Sequence, residues 1–145
     1  LGRDDIEETF GIRGVLEGYA ARLATVKHHP RELEVLEKKV EEFQACLSKK
    51  QMDSLLVLNT EFHEVLYALS KSPRLIHMIN GLRDQIYRFR QIILMDQKHA
   101  KTSHEDHRQM LKFMRKRDAE RVEKLVREHI LRGQEVVLNG FGQKK

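Results

Sequence analysis

Apolar residues recur every three or four positions along almost the whole chain, and the rhythm breaks at only a few points. That period stacks side chains on one face of a helix, and no stretch reads as a confident strand. Six helices follow from the breaks: about Asp4 to Lys27, Pro30 to Leu47, Met52 to Leu69, Pro73 to Asp96, Ser103 to Lys116, and Asp118 to Leu138. His28-His29-Pro30 ends the first, because the residue before proline is pushed out of the helical region, and Pro30 suits the first turn of the second. Ser72 caps the fourth helix with Pro73 in its first turn. Thr102 or Ser103 caps the fifth, with Asp106 completing a capping-box pattern, and Asn139-Gly140 stops the sixth. The expected fold is an all-α bundle of about six helices.

At 145 residues the chain makes one domain and leaves no room for a second. Gly and Pro are scarce, and linkers, repeats and low-complexity tracts are missing, which excludes disordered, collagenous and solenoid chains. The single cysteine, Cys46, excludes an internal disulfide framework and fits a reducing, cytoplasmic setting. No apolar run approaches the about 18 residues of a membrane span, and no signal-peptide order precedes the first helix. Beginning on Leu1 rather than Met, the chain is expected to be processed or truncated. On the first helix Gly11, Gly14, Gly18 and Ala21 form a ridge of small residues, at about 1 kcal/mol per Gly relative to Ala. Either a helix of the same bundle or a second subunit approaches that ridge.

The histidines divide by position. His63 follows Leu55, Leu56, Asn59 and Phe62 on the core stripe of the third helix. His107 shares its stripe with Met110, Leu111 and Met114, and His129 shares one with Val122, Leu125 and Val126. A buried imidazole requires a hydrogen-bond partner or a metal, and neutral imidazole is the commonest ligand for Zn, Ni, Cu and Fe. Three such residues on separate helices, with Asn59 one turn before the first, admit either satisfied core residues or a metal site. His28, His29, His77, His99 and His104 lie in loops, off the apolar faces or at a helix mouth. No Glu-x-x-His pair, His-Glu-x-x-His, Gly-x-Ser-x-Gly or phosphate-cradling loop is present, so no catalytic residue is assigned and no enzyme is expected.

Positive charge is concentrated in the second half: residues 1–72 carry 10 Lys+Arg against 13 Asp+Glu, and residues 73–145 carry 17 against 9. Either solvated helix faces or a nucleic-acid surface accounts for that excess. Arg13 on the first helix, and Arg83 and Arg90 on the stripe of Ile79, Ile86 and Ile93, sit among apolar neighbours. A guanidinium cannot shed its charge, so each requires an anion: an internal carboxylate such as Glu17 or Asp84, or a bound small acid.

The ordered set of motifs resembles one family. Ile12-Arg13-Gly14-Val15-Leu16-Glu17 and Ala20-Ala21-Arg22-Leu23-Ala24 are similar to the opening helix of the FadR-type C-terminal (FCD) domain of GntR-family transcription regulators. Asn59-Thr60-Glu61-Phe62-His63 resembles that family's Asp-x-x-Phe-His, and Ser70-Lys71-Ser72-Pro73 its Ser-Gly-Asn-Pro-like turn. Ser103 with Asp106-His107 is similar to Ser-x-x-Glu-His, Arg117-Asp118-Ala119-Glu120 to Gly-Asp-Ala-Glu, and Arg127-Glu128-His129 to Arg-x-His.

This resemblance implies an antiparallel helical bundle that binds a small organic-acid effector and forms a homodimer. It implies a divalent metal, zinc or nickel first, on residues corresponding to Asn59, His63, His107 and His129. Asn59 departs from the family's usual Asp: its carbonyl oxygen can coordinate, but it adds no negative charge. Arg13 corresponds to the effector-side arginine, while Arg83 and Arg90 join the effector site on the stripe alone. DNA contact would belong to a winged helix-turn-helix upstream, absent from this chain. A small helical metalloenzyme acting on a carboxylate, or a metal-free helical interaction module, would use the same residues.

Overall fold

The computed structural model describes residues 2–143. Among them run seven helices, α1 (Arg3–Lys27), α2 (Glu32–Ser48), α3 (Met52–Leu69), α4 (Pro73–Asn80), α5 (Arg83–Leu94), α6 (Gln97–Arg115) and α7 (Ala119–Gln143), and no strand. The bundle is all-α, as the periodicity requires. No described helix is long and apolar enough to cross a membrane.

α1 and α7 are the two longest helices and pack along each other in opposite directions. Arg22 bonds Glu123 at 3.1 Å near the start of α7, and Phe10 stands beside Gly133 toward its other end. α6 and α7 form a second antiparallel pair, and α2 runs against both α3 and α6. One apolar core, including Phe10, Leu36, Phe62, Leu66, Met110 and Val126, fills the space between them. The small-residue ridge of α1 divides in two. A Cβ on Gly18 would stand 3.0 Å from Arg127 Cγ on α7, so that position serves close helix packing, whereas Gly11 and Gly14 have nothing within 4 Å.

Three boundaries differ from the sequence reading by more than two residues, and α2 starts at Glu32 with Pro30 in the turn before it. The expected helix from Pro73 to Asp96 is two helices, broken at Gly81 and Leu82, where i to i+3 bonds such as Leu82 N to Ile79 O at 2.9 Å replace the α ladder. Asn80-Gly81 is the local cause, since both residues are poor helix formers. The fifth expected helix begins six residues early, at Gln97, because Asp96 accepts from His99 N at 3.2 Å and caps it there. Ser103 is therefore buried inside α6 rather than at its start. Asn139-Gly140 does not stop the last helix, which continues to Gln143.

Ser72 caps α4 through Leu75 N, as expected. Lys71 and Arg117, which occupy the glycine positions of the two family-like turns, adopt left-handed φ angles of 54° and 57°. Such a conformation costs about 1–2 kcal/mol for a non-glycine residue. Each side chain has a compensating use, because both reach the C-terminal end of α1. Lys71 Nζ donates to Lys27 O at 3.2 Å, and Arg117 donates to Thr25 O at 3.1 Å, where cations also oppose the helix dipole.

Candidate metal centre

Packing α3, α6 and α7 together turns three core stripes toward one point. His63, His107 and His129 are buried there, and one nitrogen from each lies within 4.8 Å of the others. Their ring centroids are 5.3 to 5.6 Å apart. Asn59, one turn before His63, is 5% exposed and lines the same small cavity as His63 and His129. His107 is fixed by Phe62, whose ring stacks on it at 4.2 Å.

The polar atoms of this cluster are only partly satisfied. Asn59 Oδ1, His63 Nδ1, His107 Nε2 and Arg90 Nε are all buried without a hydrogen-bond partner among the described residues. Leaving a buried polar atom unpaired costs about 1–3 kcal/mol, so four in one cluster point to a missing ligand. Burial holds His63 and His107 well below the usual imidazole pKa, and the Arg90 charge adds to the effect at both. Both rings are neutral at pH 7, the form that donates a lone pair to a metal. Nitrogens sharing one ion at about 2.0–2.1 Å sit roughly 3–4 Å from one another, so the observed spacing needs only a small contraction. The donor set fits a divalent metal.

Two buried carboxylates stand behind the imidazoles. Asp106 accepts from His129 Nδ1 at 2.8 Å and from Arg132 at 2.6 Å, which leaves His129 Nε2 as the free nitrogen. Burial pushes the Asp106 carboxyl up, but those two partners outweigh it and hold it below the usual range. Glu17 lies 3.7 Å from His63 Nδ1 and accepts from Arg13 Nε at 2.7 Å and from the Tyr67 hydroxyl. Arg90 donates to Tyr67 Oη at 3.1 Å, so Arg13, Glu17, Tyr67 and Arg90 form one buried network.

Arg13 and Arg90 both line the cavity that Asn59, His63 and His129 face. Arg83 does not. It opens α5 on the surface and meets Glu64 at 3.4 Å, because the break at Gly81 and Leu82 interrupts the stripe on which the sequence placed it. Its exposed pairing contributes little. The cavity itself is small, about 20 Å³, room for about one water, with Gly133 and Ile93 forming part of its wall. A Cβ at Gly133 would come within 2.9 Å of Ile93 Cδ1, so glycine there keeps α7 close without filling the space.

Asp106, Tyr67, Ser103 and His99 join the site without having been assigned to it from the sequence. Tyr67 stands one turn after His63, and Asp106 directly precedes His107, so spacing alone held a signal for both. His28, set aside as a loop residue, is buried and donates Nδ1–H to Ala24 O at 2.8 Å, which satisfies it away from the centre.

An all-α bundle closed around a polar centre of imidazoles and paired arginines defines the class. The chain belongs to the FCD domain family, whose FCD domain matches residues 8–132. It is 28% identical over 130 residues to the uncharacterized HTH-type transcriptional regulator YdhC of Bacillus subtilis (strain 168), covering 89% of this chain and 58% of that protein. The chain thus spans less than two thirds of that relative. Its fold is similar to that of E. coli McbR/YncC, with a TM-score of 0.87 at 21% identity over 97% of this chain and 71% of the other. Streptococcus agalactiae GntR is also similar in fold, with a TM-score of 0.75 at 22% identity, covering 90% of this chain and 58% of that one.

Proposed function

We propose that this chain is the effector-sensing and dimerising domain of a cytoplasmic, FadR-type GntR-family transcription regulator. In this reading it is one domain of a longer protein whose DNA contacts lie in an upstream winged helix. His63, His107, His129 and Asn59 Oδ1 hold a divalent ion, zinc or nickel first. The ion supplies a Lewis-acid contact for a carboxylate oxygen of a small organic acid. Arg13 and Arg90, which line the same cavity, meet the acid's charge, and Arg83 takes no part. Ile93 and Gly133 limit the acid to a small one unless the α5 side chains move. The observation that carries this reading is a cluster of three buried imidazoles, with unpaired polar atoms, of which His63 and His129 line a cavity shared with two buried arginines. A ligand that favours one arrangement of the dimer then shifts its population, a coupling worth about 1–3 kcal/mol in ordinary cases.

Elemental analysis of protein purified without a His tag tests the centre directly. About one zinc or nickel per chain, removed by a chelator with a loss of thermal stability, is the expected result. A protein that takes up neither ion, and whose melting temperature no divalent ion raises, overturns the reading.

Asp106 offers a separate check. Asp106→Asn keeps the shape but weakens the hydrogen bond that fixes the His129 tautomer, and such outer partners are worth about 10–100-fold in metal affinity. Competition with a chromophoric chelator should show Zn²⁺ binding weakened within that range. Unchanged affinity would remove Asp106 from any positioning role.

A further inference from the structure

The positive excess of the second half of the chain, 17 Lys+Arg against 9 Asp+Glu over residues 73–145, lies mostly outside the buried centre and collects on one helix. On α7, Arg121, Lys124, Arg127 and Arg132 each have a carboxylate within 4.0 Å, on Asp118, Glu128, Glu123 and Asp106. α6 is different. One face buries Ala100, His107, Met110 and Met114, and the other carries Lys98, Lys101, Arg108, Lys112 and Arg115, continued by Lys116 at the C-terminal cap. At about 3.6 residues per turn these six fall within about 100° of arc and run for about 27 Å. That outer face has one acid, Glu105, which Arg108 meets at 3.3 Å, and Glu37 of the neighbouring α2 meets Arg115 at 3.0 Å. Lys98, Lys101, Lys112 and Lys116 are exposed, and among the described residues none of them has a carboxylate within 4.0 Å. Helix stability does not account for the stripe. Lys98 and Lys101 stand near the start of α6, whose first turn holds no acid, so the helix dipole disfavours them, and cations three or four residues apart repel each other. What the face lacks narrows the partner. No large apolar side chain of α6 is exposed, and its single phenylalanine, Phe113, packs against the core with the Arg121 guanidinium 5.6 Å above its ring. A membrane surface requires an apolar stripe, and a single-stranded nucleic acid requires rings to stack on. A row of ammonium groups without either matches the phosphates of a duplex, which recur about every 3.4 Å along each strand.

We propose that the outer face of α6 is a contact surface for the phosphate backbone of duplex DNA. Lys98, Lys101, Lys112 and Lys116 each neutralise a phosphate and release its counterions, along a stretch of about eight base pairs. Contacts of this kind fix position on the duplex and read no sequence. The inference goes beyond the sensing role, in which an upstream domain alone touches DNA: the sensor domain itself lies along the duplex, beside the site that the upstream domain reads.

The experiment is fluorescence anisotropy of the purified chain with a labelled duplex of arbitrary sequence, about 20 base pairs long, over a series of KCl concentrations. The logarithm of affinity should fall against the logarithm of salt with a slope of about −3.6 or steeper, about −0.9 for each of the four lysines. Replacing Lys98, Lys101, Lys112 and Lys116 together by Gln should weaken binding by about tenfold or more at about 50 mM KCl and flatten the slope by about 3, with helicity by circular dichroism unchanged. Replacing Lys38, Lys49, Lys50 and Arg74 by Gln removes the same charge from exposed positions off α6 and should leave the slope within about 1 of wild type. No binding of the duplex at the lowest salt overturns the proposal, as does a four-lysine variant that binds like wild type or a control variant that loses as much. Tighter binding to the matching single strand, or to phosphatidylglycerol vesicles, than to the duplex also overturns it. Each of these results leaves metal content and metal-dependent stability, on which the sensing role depends, where they were.

Discussion

Glu17→Ala is expected to lower the unfolding free energy by about 3–5 kcal/mol, the usual cost of removing one partner from a buried ion pair. Glu17 is 1% exposed and is the carboxylate on which Arg13, Arg90 and Tyr67 all depend. Its removal leaves two guanidinium groups buried with no anion, and neither can release a proton to escape the penalty. Out of a typical total of about 5–15 kcal/mol, that loss is large enough to show as a melting transition many degrees lower. Chemical denaturation checks it. A loss under about 1 kcal/mol would show that water already reaches the network.

The acid side of the stability curve carries a signature of the same residue. Burial pushes the Glu17 carboxyl up, but Arg13, Arg90 and the Tyr67 hydroxyl outweigh it, so its pKa is held below the ordinary value of 4.5. A depressed carboxylate contributes stability that is complete above the unfolded-state pKa and lost as pH falls through the folded one. His63 and His107, depressed by burial, act earlier on the way down: the unfolded chain takes up their protons below the ordinary imidazole value of 6.5. The difference in stability between wild type and Glu17→Gln should therefore stay flat above 4.5 and narrow only below it. That separates the carboxylate from the imidazoles in one pair of curves.

Local period and long-range convergence were not equally legible. His63, His107 and His129 stood out because each interrupts an apolar stripe that can be read within two turns of its own helix. Arg83 was misplaced by the same method, since a stripe extrapolated through Asn80-Gly81 loses its phase where the helix breaks. Asp106 shows a different limit. Its spacing from Ser103 matches a capping box, and that pattern looks the same whether the helix starts there or, as here, at Gln97. Only the approach of α7 reveals that the carboxylate serves His129 and Arg132. Glu17 lay within view as an i, i+4 partner of Arg13, but its links to Tyr67 and Arg90 cross 50 residues of sequence or more and depend on tertiary packing.

Replacing His63 and His107 together by Ala should abolish metal-dependent stabilisation. In wild type, Zn²⁺ at a thousandfold excess over its Kd would add about 4 kcal/mol to stability, because it binds the folded chain alone. The double variant retains one imidazole and an amide oxygen, too few donors to hold an ion in a buried site. Its own fold should persist, because two effects oppose each other. Truncation opens space beside Phe62, which stacks on His107 at 4.2 Å, and buried voids destabilise. Yet the same change removes two buried nitrogens, His63 Nδ1 and His107 Nε2, that have no hydrogen-bond partner among the described residues. His77→Ala is the matching control, since His77 is an exposed imidazole on α4 outside both the cavity and the imidazole cluster. Melting curves with and without Zn²⁺ should coincide for the double variant and remain separated for wild type and the control. A double variant that keeps the wild-type Zn²⁺ shift would place the ion elsewhere in the chain, and the convergence of α3, α6 and α7 would then be a packing arrangement rather than a metal centre.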